Sequence, residues 1–407
     1  MHKPSRKRLS IMKNYSVKDI FRHLRSAAIT LAAAISVLCS TTACIEEYNE
    51  ELPASDSQLL VVEGAILSDA TCDFYLSETT PLNSSYHYPV VYDAELKIVS
   101  SEGEEYNVVS KNAGHYYILT PKLKADVKYS LHIVHDGNTY ETTPQRPTPT
   151  IGIESVKGNQ ATPESNIDVL ITTAQPDDPK ETQYFRWMYD ETWEVHPDLY
   201  TEVMYDPEKD EGVPLDKPYP EQGWLYHKGT EIIASSSAYY QNNKIAGYKL
   251  FSIGRTDRRL YVKHSTNVTQ RAITKAEYEY EVARRQISNE MGGLFTPQPS
   301  ALPSNVICTS GKHRVIGYVG CSLNVVQHRI FFTPRDFNVN IIRSPEVRKS
   351  GDEGFPGNAS LYKAGWKLYW WDDKRPMGGF LESEWTREVH LDVRMIGASL
   401  ERPEYWQ

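Results

Sequence analysis

Between Leu59 and Thr143 the chain is a succession of short β-branched and aromatic runs, each closed by turn residues, with no stretch of helical period. Around Lys128–His135, Tyr129, Leu131 and Ile133 alternate with Ser130, His132 and Val134, the two-residue period of a strand with one buried face. Asp136-Gly137 follows, where a tight hairpin needs positive φ at both central positions. Leu59–Ile66, Asp73–Ser77, Tyr92–Ser100, His115–Thr120 and Asn138–Thr142 are runs of the same kind. Short strands without a helix predict an antiparallel β-sandwich, immunoglobulin-like or prealbumin-like, over residues 57–143.

Thr143 to Thr150 then carries three prolines in eight residues, a stiff extended segment that cannot continue a ladder. It predicts a linker over 144–152 and a second, larger β-rich domain over 153–407. That domain has strand runs at Ile167–Thr173, Tyr184–His196, Trp224–Ser235, Tyr248–Ile253, Arg259–Lys263, Val315–Val319 and His328–Thr333. Pro207–Pro220 and Ser344–Pro356 read as long loops. One helix is expected near 274–291. Thr274 is its N-cap, Glu277 completes a capping box, and Ile273 and Tyr278 are placed as a hydrophobic staple. Ala276, Tyr280, Ala283 and Ile287 supply an apolar stripe, and Gly292-Gly293 ends it. The chain is thus mainly β, with one helix in its second body.

The leader constrains location. Residues 1–43 hold eight Lys/Arg against one acid, so the rest of the chain carries −16 where the whole carries −9. A body this acidic does not suit phosphate-contacting nucleic-acid binding. The apolar stretch Ala27–Leu38 is too short to span a hydrocarbon core of about 30 Å but suits the core of a signal peptide. It ends in small residues before Cys44, an arrangement resembling a bacterial lipobox, with Thr41 where leucine is usual. Residues 1–43 are therefore read as a signal peptide and Cys44 as the lipid anchor. Ordinary signal-peptidase cleavage and an uncleaved anchor are the alternatives. Residues 44–56 form an acidic tether, within which Glu46 and Glu47 resemble the export signal that places lipoproteins on the outer surface.

Five cysteines occur, with no CxxC and no zinc spacing. Cys308 and Cys321 flank a turn and could form a disulfide across two strands, whereas Cys72 reads as a buried thiol. His132 and His135 fall on opposite faces of a strand and cannot share a metal. Asp206, Glu208 and Asp210 alternate like a calcium loop, but the glycine is one place late (Gly212) and Lys217 stands where the bidentate glutamate belongs. Trp370-Trp371-Asp372-Asp373 sets aromatics beside carboxylates, as sugar-binding sites do, and equally fits a strand end. No catalytic residue, metal or cofactor is assigned.

Several segments in order carry a resemblance. They are Leu60-Val61-Val62-Glu63-Gly64, Tyr184-Phe185-Arg186-Trp187, Gly293-Leu294-Phe295-Thr296-Pro297-Gln298-Pro299-Ser300, Val315-Ile316-Gly317-Tyr318-Val319 and the closing Arg402-Pro403-Glu404-Tyr405-Trp406. Together they resemble the lipoprotein family named domain of unknown function 4249. The resemblance implies an outer-membrane lipoprotein, exposed at the cell surface and keeping company with a TonB-dependent receptor; it implies location and company, not chemistry. Where that family tends to have two cysteines around Asp392, this chain has His390 and Val393, which leaves the C-terminal segment without their constraint. The expected function is a non-enzymatic ligand-binding or accessory partner of such a transporter. A structural or adhesive surface protein is the alternative, and a hydrolase is a more distant one.

Overall fold

In the computed structural model, which describes residues 59–80, 89–289, 302–311, 313–372 and 382–406, strands dominate. Two α-helices, Lys275–Asn289 and Asn358–Lys363, occur among the described residues. The alternation read from the sequence sets the first body. Thr71–Glu78 buries Cys72, Phe74 and Leu76 and turns Thr71, Asp73 and Tyr75 outward. Tyr129, Leu131 and Ile133 point into the same core, and the hairpin after them forms at Asp136-Gly137 with both φ values positive.

That body is a nine-stranded sheet, and not all of it comes from residues 57–143. The opening strand Leu60–Leu67 pairs antiparallel with Thr71–Glu78 on one side. On the other it pairs in parallel with Val315–Ser322, in the register Leu60↔Val315 to Leu67↔Ser322. Val306–Cys308 adds to the far edge by pairing with Asn138–Thr142. The two edge strands are then drawn together by Asn305, whose side chain accepts from Val319 N–H and donates to Val319 O, both at 2.9 Å. The sheet curls nearly into a barrel around one core. Alternation within a strand cannot announce a partner some 250 residues away, so the local pattern ends at Thr143 although the sheet does not.

The proline-rich segment is correspondingly not a free linker. Pro147 is buried, Thr148 N–H donates to Cys321 O at 3.0 Å, and Thr150 exchanges hydrogen bonds with Asn324 at 2.7 to 3.0 Å. Ala272 N–H also donates to Thr150 Oγ1. The segment runs between the bodies, bonded to both.

In the second body, Tyr184–Val195 and Lys263–Ile273 pair over eleven residues at the centre of a five-stranded sheet. A three-stranded sheet, Ile153–Gln160, Ile167–Thr173 and Tyr248–Ile253, packs with it around Phe185, Trp187, Tyr189, Ile171 and Ile253. The expected strand Arg259–Lys263 begins instead as a short 3₁₀ turn, Arg258–Leu260, because Asp257 caps Arg259 N–H.

The helix Lys275–Asn289 starts at its predicted cap, with Thr274 Oγ1 accepting from Glu277 N–H at 3.2 Å. Its buried face differs from the expected stripe. Ala276 is exposed, and the side chains buried are Glu277, Tyr280 and Glu281. The strands beneath present Arg271 and Arg186, so the helix docks through carboxylates. Arg271 pairs with Glu277, both almost fully buried, and Arg186 pairs with Glu281 at 2.8 Å. Arg284 reaches Glu63 on the opening strand, tying the helix to the first body as well.

A small third layer completes the fold. Val347–Lys349, Glu382–Thr386 and Lys367–Asp372 form a three-stranded sheet. The hairpin Val203–Asp206/Glu211–Pro214 and the helix Asn358–Lys363 accompany it. Tyr205, Leu361, Trp366, Leu368 and Trp385 are its core. Both segments read as loops from the sequence therefore contribute strands here.

Candidate ligand-binding cleft

The third layer carries an open cleft of about 550 Å³. Its floor is set by the end of the helix Asn358–Lys363. Gly365, with φ near +79°, reverses the chain there, and Trp366 N–H donates to Leu361 O at 3.0 Å, which drops the indole onto the core. Phe355 and Pro356 form one wall. Two guanidinium groups converge on the indole, Arg387 at 4.3 Å and Arg348 at 5.7 Å from the ring centroid. Such contacts are worth about 0.5–1 kcal/mol at exposed sites.

The two arginines are held differently. Arg387 Nη1 donates to Ala364 O at 3.1 Å, and its Nε lies 3.6 Å from Glu346 Oε2. The Arg348 side chain is exposed and, among the described residues, makes no ion pair or hydrogen bond. Its donors face the cleft unclaimed. Of the acids on the rim, Asp352 caps Lys349 N–H at 3.0 Å, while Glu353 is exposed.

The strand segment bearing Glu346 is pinned from behind. Thr386 Oγ1 donates to Glu346 O at 2.7 Å, and Glu346 N–H donates to His390 Nε2 at 3.2 Å. Because a backbone amide can only donate, His390 carries its proton on Nδ1 and gives it to Asp198 Oδ2 at 2.9 Å. Arg258 donates twice to the same carboxylate, at 2.7 and 2.8 Å. Burial pushes the Asp198 carboxyl up, but the bonds from His390 and Arg258 outweigh it and hold the group below the usual range. The position where a cysteine was missed from the sequence thus supplies a polar tie instead. Its companion Val393 is buried with Val195 and Ala398.

Other residues singled out from the sequence lie elsewhere. Cys44, Glu46 and Glu47 fall outside the described residues, as does Asp373. Cys308 and Cys321 form no disulfide; with Cys72 they are free thiols. Asn305 is the residue that faces Val319, so Cys308 lies toward Ile316, beside which it lines a small hollow. Cys321 stands in the core opposite Ile66, where burial pushes its thiol up to about 12. His132 and His135 lie beside different carboxylates, His132 at Glu141 and His135 at Glu78 and Asp93. Asp206 caps Glu208 N–H and Asp210 accepts from Tyr205 in a hairpin turn. Trp371 lies against the backbone of Gly212, and Trp370 is 41% exposed on the strand beside it. No group of three or more metal-ligating side chains occurs among the described residues.

Sequence reasoning missed the cleft. Trp366, Arg348 and Arg387 are spread over some forty residues, and the only local signal was the Gly365-Trp366 turn after a helical run.

A model of the family described as "Domain of unknown function (DUF4249)" matches residues 45–328. The cleft residues are C-terminal to that stretch. No curated protein matches the sequence. Among solved structures, the Yersinia pseudotuberculosis adhesin InvE is similar at 14% identity, over 54% of this chain and 56% of that one, with a TM-score of 0.16. A likeness at that level bears on neither fold nor function.

Proposed function

The chain belongs to the family described as domain of unknown function (DUF4249), and from that premise we propose that it is a non-enzymatic, surface-displayed outer-membrane protein. In this reading acyl chains on Cys44 anchor it, and it binds a ligand as the accessory partner of a TonB-dependent transporter. The observation that carries the binding role is the cleft over Trp366, where unclaimed Arg348 donors and an aromatic wall meet in an open site of about 550 Å³. Small-ligand sites of roughly 300–1,000 Å³ have this mix of apolar walls and few polar groups. The anchor is supported by the leader, whose small residues place Cys44 at the cleavage point.

Two measurements test the reading. Cys44→Ser is expected to move the protein from the membrane to the soluble fraction with its fold intact, since two or three acyl chains anchor stably where one binds marginally. Equal fractionation of wild type and variant would overturn the anchor. Capture of the tagged protein from detergent-solubilised outer membrane is expected to bring down a β-barrel transporter. Recovery of the protein alone would remove the accessory role.

A further inference from the structure

We propose that the cleft over Trp366 takes a sugar acid, a pyranose bearing one carboxylate, an inference that rests on the ligand-binding reading above. Three features of the site converge on that class. Arg348 and Arg387 bring two guanidinium groups to one side of the cleft, and Arg348 has no carboxylate of its own. A carboxylate entering there completes the forked, charge-assisted pairing that the protein leaves unmade. The same cleft offers acceptors, since Glu353 and Ser360 also line it and both are exposed. The Glu353 carboxylate would repel a ligand of high negative charge, yet both groups accept well from hydroxyl groups. Phe355 and Pro356, which line the cleft as well, offer apolar surface to the C–H face of a ring. One negative group, several hydroxyl donors and an apolar face describe an acidic sugar. An acidic peptide supplies the carboxylate but few hydroxyl donors for Glu353 and Ser360.

A competing account is that the two arginines only brace Trp366. It fits Arg387, which is half-buried and bonded to Ala364 O. It fits Arg348 less well, because that side chain is exposed, more distant from the ring and bound to nothing else among the described residues.

The test uses the full mature chain, titrated with glucuronate and galacturonate and, in parallel, with glucose, galactose, acetate and a glutamate-rich peptide, read by calorimetry and tryptophan fluorescence. The sugar acids are expected to bind saturably, and the other probes at least about tenfold more weakly, since each lacks either the carboxylate for Arg348 or the hydroxyl groups and ring face for the rest of the cleft. Arg348→Ala should lose about tenfold or more in affinity with no more than the small drop in thermal midpoint that losing its distant contact with the Trp366 ring brings, and Arg348→Lys should be intermediate. Neutral sugars, acetate or the peptide binding as tightly would overturn the proposal. So would an Arg348→Ala variant of unaltered affinity, or one whose only change is a lower thermal midpoint. If the sugar acids fail but another glycan binds and protects the 346–366 region from hydrogen exchange, the acid specificity falls and the ligand-binding reading stands. If nothing in a glycan panel binds, both fall.

Discussion

Gly317 lies opposite Val62 in the parallel pair Leu60–Leu67/Val315–Ser322, with φ near +146°. A Cβ there would come 2.0 Å from the Val62 carbonyl oxygen, and that neighbour is backbone, so it cannot turn aside. Gly317→Ala is expected to destabilise the protein by about 2 kcal/mol or more, the sum of a disfavoured backbone region and a clash. A denaturation midpoint equal to wild type would disprove the close approach. The Gly-Tyr-Val segment was legible in the sequence as a family mark, but its reason was not, because the strand that presses on it lies far away in the chain. Tyr318 beside it reaches Thr274 Oγ1 at 3.2 Å. Thr274→Ala should cost about 1 kcal/mol by leaving Glu277 N–H without its acceptor, measured as a lower thermal midpoint.

At the scale of the element, the helix Lys275–Asn289 separates what local pattern can say from what it cannot. The cap was readable because it is made by residues three apart. The buried face is not legible locally, because apolar residues at helical spacing cannot show that Arg271 and Arg186 wait on the strands beneath. A buried pair whose partner is removed leaves an unpaired charge, which costs about 3–5 kcal/mol, while replacing both partners with apolar residues is often neutral. Arg271→Met should therefore destabilise far more than the double variant Arg271→Met/Glu277→Leu, a contrast that urea titration of the three proteins would resolve. The segment from Glu388 to Gly397 makes a second case. Arg394 holds the Asp392 carboxyl below its ordinary range, and His390 with Arg258 does so for Asp198 against the pull of burial. A carboxyl whose folded pKa is lowered adds stability that is complete above its unfolded pKa, about 3.9, and is lost as pH falls through the folded value. Stability is thus expected to hold from about pH 7 to 5 on account of these groups and to fall below about pH 4. Asp198→Asn should flatten that acid limb, and an acid limb identical to wild type would show that the tie contributes nothing.

For the whole molecule, the sequence placed a boundary at the prolines, and the sheet crosses it. Residues 57–143 show strand alternation and a hairpin, so their content was readable, whereas closure depends on Val306–Cys308 and Val315–Ser322, which carry no local sign of where they pair. The consequence is a prediction about fragments. Residues 57–152 alone lack Val306, Val319 and Cys321, each almost fully buried in the first core. Burial of one such aliphatic side chain contributes roughly 1.5–3 kcal/mol. Losing the two valines and the thiol, and with them the cover over Leu60 and Val62, removes a large share of the 5–15 kcal/mol that a domain has in total. The fragment would also expose both sides of the gap as unpaired strand edges, which invite pairing between chains. It is therefore expected to collapse or aggregate, giving poorly dispersed amide resonances. Joining 57–152 to 302–324 through a short glycine-serine link should restore dispersion, because Thr143 N–H already bonds to Asn305 O and the two segments are adjacent. A well-dispersed spectrum from 57–152 by itself would mean that the first seven strands close without help, and that the late pair is an ornament on a finished body.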